Sequence, residues 1–191
     1  MKMDTTKQPN QFAILSRLLH WSMAAMLLAM LFIGVAMVTS LGDYYKLVSI
    51  HRPLGIMILI FAILRIINRM MTTLPPFPTT MSQLERKIAT ASERLLYALM
   101  LALPLVGWGM LSAGHYPVVM FGAWRLPPIL PANPMLYAAL RKTHTVLAYL
   151  LFAAFLGHIS AVLFHTLIIR DRLLNRMAVW PIRPDKIESQ N

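Results

Sequence analysis

Between Arg17 and Asp43 the chain carries no charged side chain. The run from Leu18 to Gly42, at 1.5 Å per residue in a helix, is long enough to cross the roughly 30 Å hydrocarbon core of a bilayer. A secretory signal has an apolar core of only about 7–15 residues followed by a small-residue cleavage site. The polar start MKMDTTKQPNQF and the long run after it do not fit that pattern, so the run reads as a retained transmembrane helix.

Three further apolar segments follow. The spans expected are 12–41, 48–71, 95–113 and 137–169, within one transmembrane domain over 1–191 that ends in a polar, basic tail at 170–191. The fourth span would be about 50 Å long and should protrude from the bilayer. Pro104, Gly107 and Gly109 sit inside the third, where neighbouring helices can satisfy freed backbone groups. The stretch 72–94 reads as a proline-rich turn leading into a charged segment. There Ser82 and Glu85 match a capping box and predict a short interfacial helix. Residues 114–136 form a long loop with five prolines and an interface-seeking Trp124.

The net charge of +11 would suit nucleic acid, but the basic residues cluster at the ends of apolar runs and form no single soluble patch. They are better read as topology, with no nucleic-acid partner. If both termini share one side, that side holds 13 of the 18 Lys and Arg residues, which places the termini in the cytoplasm. The absence of cysteine excludes disulfides, thiolate metal sites and iron–sulfur clusters.

Four histidines interrupt the apolar runs. His144 and His158 are fourteen residues apart, about 40° short of four helical turns and roughly 21 Å along the axis, so they share one face of the fourth span at two depths. His51 opens the second span at the outer level, and His20 enters the first at the inner level. Depths therefore match as His20 with His158 and His51 with His144, and each pair draws on two helices. Such a pattern suits two haems stacked across the bilayer, each taking an axial imidazole from either side. Any one of these histidines could instead hydrogen-bond a neighbouring helix. Four at matched depths are harder to explain that way, since intramembrane ionisable groups are costly. Two histidines per level are too few for zinc. A proton relay would normally include carboxylates, and these spans contain none.

Arg65 lies fourteen residues after His51, at the inner level, with Arg69 one turn further in and Arg17 three residues before His20. A buried guanidinium needs an anion; the protein is expected to offer none there, and haem propionates would serve. The alternative is that these three are boundary charges that snorkel. Arg52, Arg141 and Lys142 could serve the outer haem in the same way. Gly55 and Gly157 would permit close approach of a flat macrocycle or simply helix packing. His165, seven residues after His158, could line a quinone site or proton path, but a solvated helix end is the preferred reading. His115 reads as a loop residue, and Met23 and Met26 as core filler.

The motifs RLLHW at 17–21, HRPLG at 51–55, RIINR at 65–69, and KTH at 142–144 followed by His158 and His165 resemble the bacterial cytochrome b561 family over about residues 12–180. The resemblance implies an all-α integral membrane four-helix bundle of the bacterial inner membrane that holds two b-type haems. It implies His20 and His158 as iron ligands of one haem, and His51 and His144 as those of the other. It further implies superoxide oxidase activity, with superoxide as electron donor at the periplasmic face and ubiquinone as acceptor. The partners expected are the lipid bilayer, ubiquinone, superoxide or a periplasmic electron donor, and a second copy of the chain in a homodimer. The outer loop 114–136 carries one basic residue, Arg125, so outer positive charge would rest on Arg52, Arg141, Lys142 and Lys46. Related four-helix haem subunits serve hydrogenases and formate dehydrogenases, so the alternative is a haem-bearing anchor that relays electrons for a separate dehydrogenase or periplasmic partner. A small transporter without haem is a third class.

Overall fold

A computed structural model describes residues 11–40, 42–122, 124–171 and 173–179. The charged residues Lys2, Lys7, Arg172, Arg183 and Lys186, and most of the expected tail, lie outside the described residues. Four long helices dominate: α1 (Ile14–Thr39), α2 (Tyr44–Met71), α3 (Gln83–Ala113) and α4 (Pro134–Phe164). All four are long and apolar enough to cross a membrane, and they form a four-helix membrane bundle. Side chains such as Phe32, Val38 and Tyr149 face outward, as a lipid solvent requires.

Helices α3 and α4 begin at side-chain caps. Ser82 Oγ accepts from the Glu85 N–H at 3.3 Å, and Glu85 Oε2 accepts from the Ser82 N–H at 2.6 Å, so both halves of the capping box are present. The helix it opens does not stop at the membrane surface, however. It runs without a break to Ala113, merging the expected interfacial helix with the third span. Charge at 83–94 keeps that part out of lipid but does not interrupt its hydrogen bonding. Asn133 caps α4 by accepting from the Met135 and Leu136 N–H groups at 2.9 and 3.1 Å, with Pro134 at the first helical position.

The expected loop at 114–136 contains an antiparallel hairpin, β1 (Val118–Met120) with β2 (Trp124–Leu126), in register Val118 to Leu126 and Met120 to Trp124. Phe121 and Gly122 adopt positive φ at its turn, which supplies the twist that two short strands need. Buried Val118 and Met120 seat β1 against α2 and α3 at the Ala113 end of α3, called the outer end after the expected topology.

The bundle is not evenly packed. α3 lies most extensively against α4, α1 against α2, and α2 against α3. No comparably close backbone approach joins α4 to α1 or α2. The core of Met23, Leu27, Ile58, Ala62, Leu99, Met100 and Leu103 fills the space among α1, α2 and α3, and α4 adds Leu151. α4 thus packs its backbone against α3 and meets α1 and α2 through side chains.

After α4 the chain widens into a π-helical turn, His165–Ile169, ended by Arg170 in the left-handed region (φ 57°). A 3₁₀ helix, Leu173–Met177, then returns to the start of α1. Phe12 N–H donates to the Arg176 carbonyl (3.1 Å), Gln11 Nε2 to Asn175 O (3.0 Å) and Trp21 Nε1 to Met177 O (2.8 Å). The two ends of the described chain thus lie at the same end of the bundle.

Candidate functional site: two imidazole pairs across the bundle

Histidines meet across the bundle between α4 and the α1–α2 pair at two depths. The rings of His20 (α1) and His158 (α4) are 6.5 Å apart between centroids, inclined at 63°. Those of His51 (α2) and His144 (α4) are 6.2 Å apart at 67°. These are the combinations that depth matching along the sequence predicts. The cause is geometric: antiparallel helices of constant rise bring residues at equal distance from the same surface to one level.

The Nδ1 atoms of His20 and His51 are buried and have no hydrogen-bond partner. Buried polar groups are nearly always satisfied, so unmet imidazole nitrogens in an apolar interior call for a partner from outside the chain. Among the described residues no group of three or more His, Cys, Asp or Glu could hold a metal ion, so each level offers two protein nitrogens. A metal–imidazole bond is about 2.0 Å. Facing rings little more than 6 Å apart therefore admit one metal between them.

Gly107 of α3 borders the outer pair. A Cβ at that position would lie 3.2 Å from His144 Cε1. The glycine lets α3 support the imidazole closely, a role its place among the Pro and Gly residues of a span could not reveal. A Cβ on Gly55 would make only an ordinary contact with Met30, and one on Gly157 would meet no protein atom within 4 Å, so neither glycine serves close helix packing.

The basic residues separate into distinct settings. Arg65 lies close enough to both inner imidazoles to act on each electrostatically. Its guanidinium sits 5.3 Å over the Tyr97 ring, with Nη1 4.0 Å from Met23 Sδ. Arg69 corrects the expectation that the protein offers no anion here: it pairs with Glu93 at 2.5 Å. Glu93 precedes the third expected span, and only the continuity of α3 brings it to α2. Arg17 turns to the returning carboxy-terminal segment, donating from Nη1 to the Ala178 carbonyl at 2.7 Å and to Gln11 Oε1 at 3.3 Å. Arg52 donates to the Pro117 carbonyl at 3.2 Å, tying α2 to the hairpin. Arg141 and Lys142 are exposed at the outer end.

A small inner cavity adjoins Arg65. Ser16, Asn68, Arg69, Tyr97 and Met177 are among its lining residues. Asn68 Nδ2 donates to Ser16 Oγ at 2.6 Å, joining α2 to α1. Neither residue carries a signal in the sequence, since the bond depends on how the two helices meet.

His165 overturns the expectation of a solvated helix end. It is buried, and its Nδ1 lies 2.6 Å from Asp171 Oδ2, a carboxylate itself almost wholly enclosed. The π-helical turn and the left-handed Arg170 together swing Asp171 back onto the imidazole. His115 is an exposed residue with φ 59° after the end of α3.

The sequence matches the family model for prokaryotic cytochrome b561 over residues 11–179. It is 27% identical over 179 residues to "Cytochrome b561 homolog 2" of Escherichia coli (strain K12), covering 92% of this chain and 95% of that protein. It is 28% identical over 180 residues to "Cytochrome b562" of Cereibacter sphaeroides, covering 90% and 97%. To the "Probable superoxide oxidase CybB" of Yersinia pestis it is 29% identical over 128 residues, covering 67% and 72%. Four apolar helices, paired intramembrane imidazoles and a match over nearly the whole chain agree: the protein belongs to the prokaryotic cytochrome b561 family of membrane electron-transfer proteins, and b-type haem is the cofactor that membership implies.

Proposed function

We propose that the protein is a di-haem b cytochrome that oxidises superoxide and reduces ubiquinone, with its termini in the cytoplasm. His20 and His158 would hold the inner haem, and His51 and His144 the outer one. The observation that carries this reading is the pairing of imidazoles from α4 with imidazoles from α1 and α2 at two depths. Bound there, haem supplies a one-electron redox centre at each level. With an imidazole offered from each of two helices at each level, the group held there would serve electron transfer in preference to oxygen binding.

The chain's own residues set the rest. α4 carries one imidazole of each pair on a single rigid element, which fixes the spacing of the two levels. Arg65 is the cation best placed to serve the inner propionates, because Arg17 and Arg69 are already engaged by a carbonyl and by Glu93. Arg52, Arg141 and Lys142 place positive charge at the outer end. That charge would attract superoxide and bind the outer propionates. Two superoxide anions each lose one electron to become dioxygen. One ubiquinone gains those two electrons and two protons to become ubiquinol. The name of the Yersinia pestis relative supports this donor.

A second reading is a haem-bearing subunit that relays electrons for a separate dehydrogenase or a periplasmic partner. It is favoured by the hairpin tip at the outer end, where Phe121 and Trp124 are 77% and 80% exposed.

The test is a reduced-minus-oxidised spectrum with haem counted per chain, followed by superoxide-driven ubiquinone reduction with no added protein. Two haems and partner-free turnover are expected. Two haems with no superoxide reaction would favour the relay reading, and a colourless, folded protein would refute both.

A further inference from the structure

The first turns of α3 carry cations that form no ion pair among the described residues. Arg86, Lys87, Thr90, Ala91 and Arg94 line a shallow groove along one side of this helix. The nearby carboxylates are committed elsewhere: Glu85 to the Ser82 N–H and Glu93 to Arg69. Arg86 donates to the Met81 and Pro78 carbonyls, both at 3.1 Å, which holds its guanidinium at the groove wall. Lys87 and Arg94 are exposed and form no ion pair among the described residues.

The groove lies at the membrane boundary. Arg94 is the last charged side chain before the apolar run that begins at Leu95. Leu84, Ile88 and Leu95 are 67%, 58% and 39% exposed. At 100° per residue they form a stripe that flanks the groove on its Lys87–Ala91 side. A basic groove next to an exposed apolar stripe, beside the start of an apolar run, matches the two chemistries of one molecule.

We propose that this groove binds the headgroup of an anionic phospholipid, with Lys87 and Arg94 on the phosphate and the acyl chains along Leu84, Ile88 and Leu95. Guanidinium matches phosphate oxygens in a fork, and lysine adds a point charge. Basic recesses on the inner side of membrane helices hold such headgroups. The site goes beyond electron transfer and is independent of which donor the cytochrome uses.

The test uses the haem-loaded protein, delipidated in mild detergent and then offered phosphatidylglycerol or phosphatidylethanolamine. Retained lipid is counted by native mass spectrometry. Wild type should retain phosphatidylglycerol in preference to phosphatidylethanolamine. The double variant Lys87→Gln/Arg94→Gln should weaken that retention roughly twenty-five-fold, at about fivefold per cation. Arg125→Gln, in the hairpin, should leave it unchanged, and an unaltered haem spectrum confirms that each variant is folded. Equal retention by wild type and the double variant, or no preference for the anionic lipid, would overturn the proposal. So would an equal loss in Arg125→Gln. Displacement of the lipid by millimolar inorganic phosphate would reassign the groove to free phosphate and overturn it as a lipid site.

Discussion

His144 faces His51 across the outer half of the bundle with 6.2 Å between ring centroids, and its ring rests against Gly107 on α3. The same helix offers His158 to His20 at the inner level, 6.5 Å apart. One helix therefore contributes to both sites while sharing neither partner, and this makes the two levels separable by mutation.

Replacing His51 or His144 with Ala should remove about half of the bound haem and leave the inner centre's spectrum intact. Haem quantified per chain, with low-temperature difference spectra, reads this directly. Loss of both centres from every single-histidine variant would instead indicate general unfolding.

Gly107→Ala should disturb the outer centre alone. The new methyl would sit 3.2 Å from His144 Cε1, close enough that the ring must tilt or shift by a few tenths of an ångström. The expected outcome is a changed midpoint potential for one of two resolved redox transitions. A titration identical to wild type would show that the imidazole is not braced there.

Arg65→Gln should lower the potential of the inner centre. A cation near both imidazoles disfavours the oxidised, more positive state, so its removal favours that state. The shift should be on the order of 50 mV, or ~1 kcal/mol for a one-electron couple. Potentiometry should show a larger change at the inner centre than at the outer one. An equal change at both would mean that Arg65 acts only through long-range charge.

Asp171→Ala should destabilise the inner end. It strips buried His165 of its partner, at a cost of about 1–3 kcal/mol for an unsatisfied buried group. Thermal unfolding followed by haem absorbance should show a lower midpoint. Asp171→Asn, which keeps a hydrogen-bonding oxygen, should recover much of the loss.

Arg141→Gln with Lys142→Gln should slow superoxide-driven quinone reduction several-fold at low salt and weaken its dependence on ionic strength. Surface charges steer an anion only within a Debye length, about 10 Å at 0.1 M. Rates measured across a salt series test this. A salt slope equal to that of wild type would place the entry of superoxide elsewhere.

The sequence alone determined the class of the molecule and the level of each histidine. Charge-free runs report directly on a lipid solvent, and helical rise converts a spacing of fourteen residues into depth, so both inferences need only information local in the chain. The hydropathy pattern hid the first turns of α3, because it measures contact with lipid and not helix formation. The capping box at Ser82 carried that missing information. Tertiary structure decided what each cation meets. Arg17 binds the carbonyl of Ala178, 161 residues away; Arg69 meets Glu93 only because α3 is continuous; and Asp171 reaches His165 only because the helix widens into a π-helical turn. A guanidinium or imidazole takes its partner from whatever the returning chain brings within about 3 Å, and no periodicity along a single helix encodes that approach.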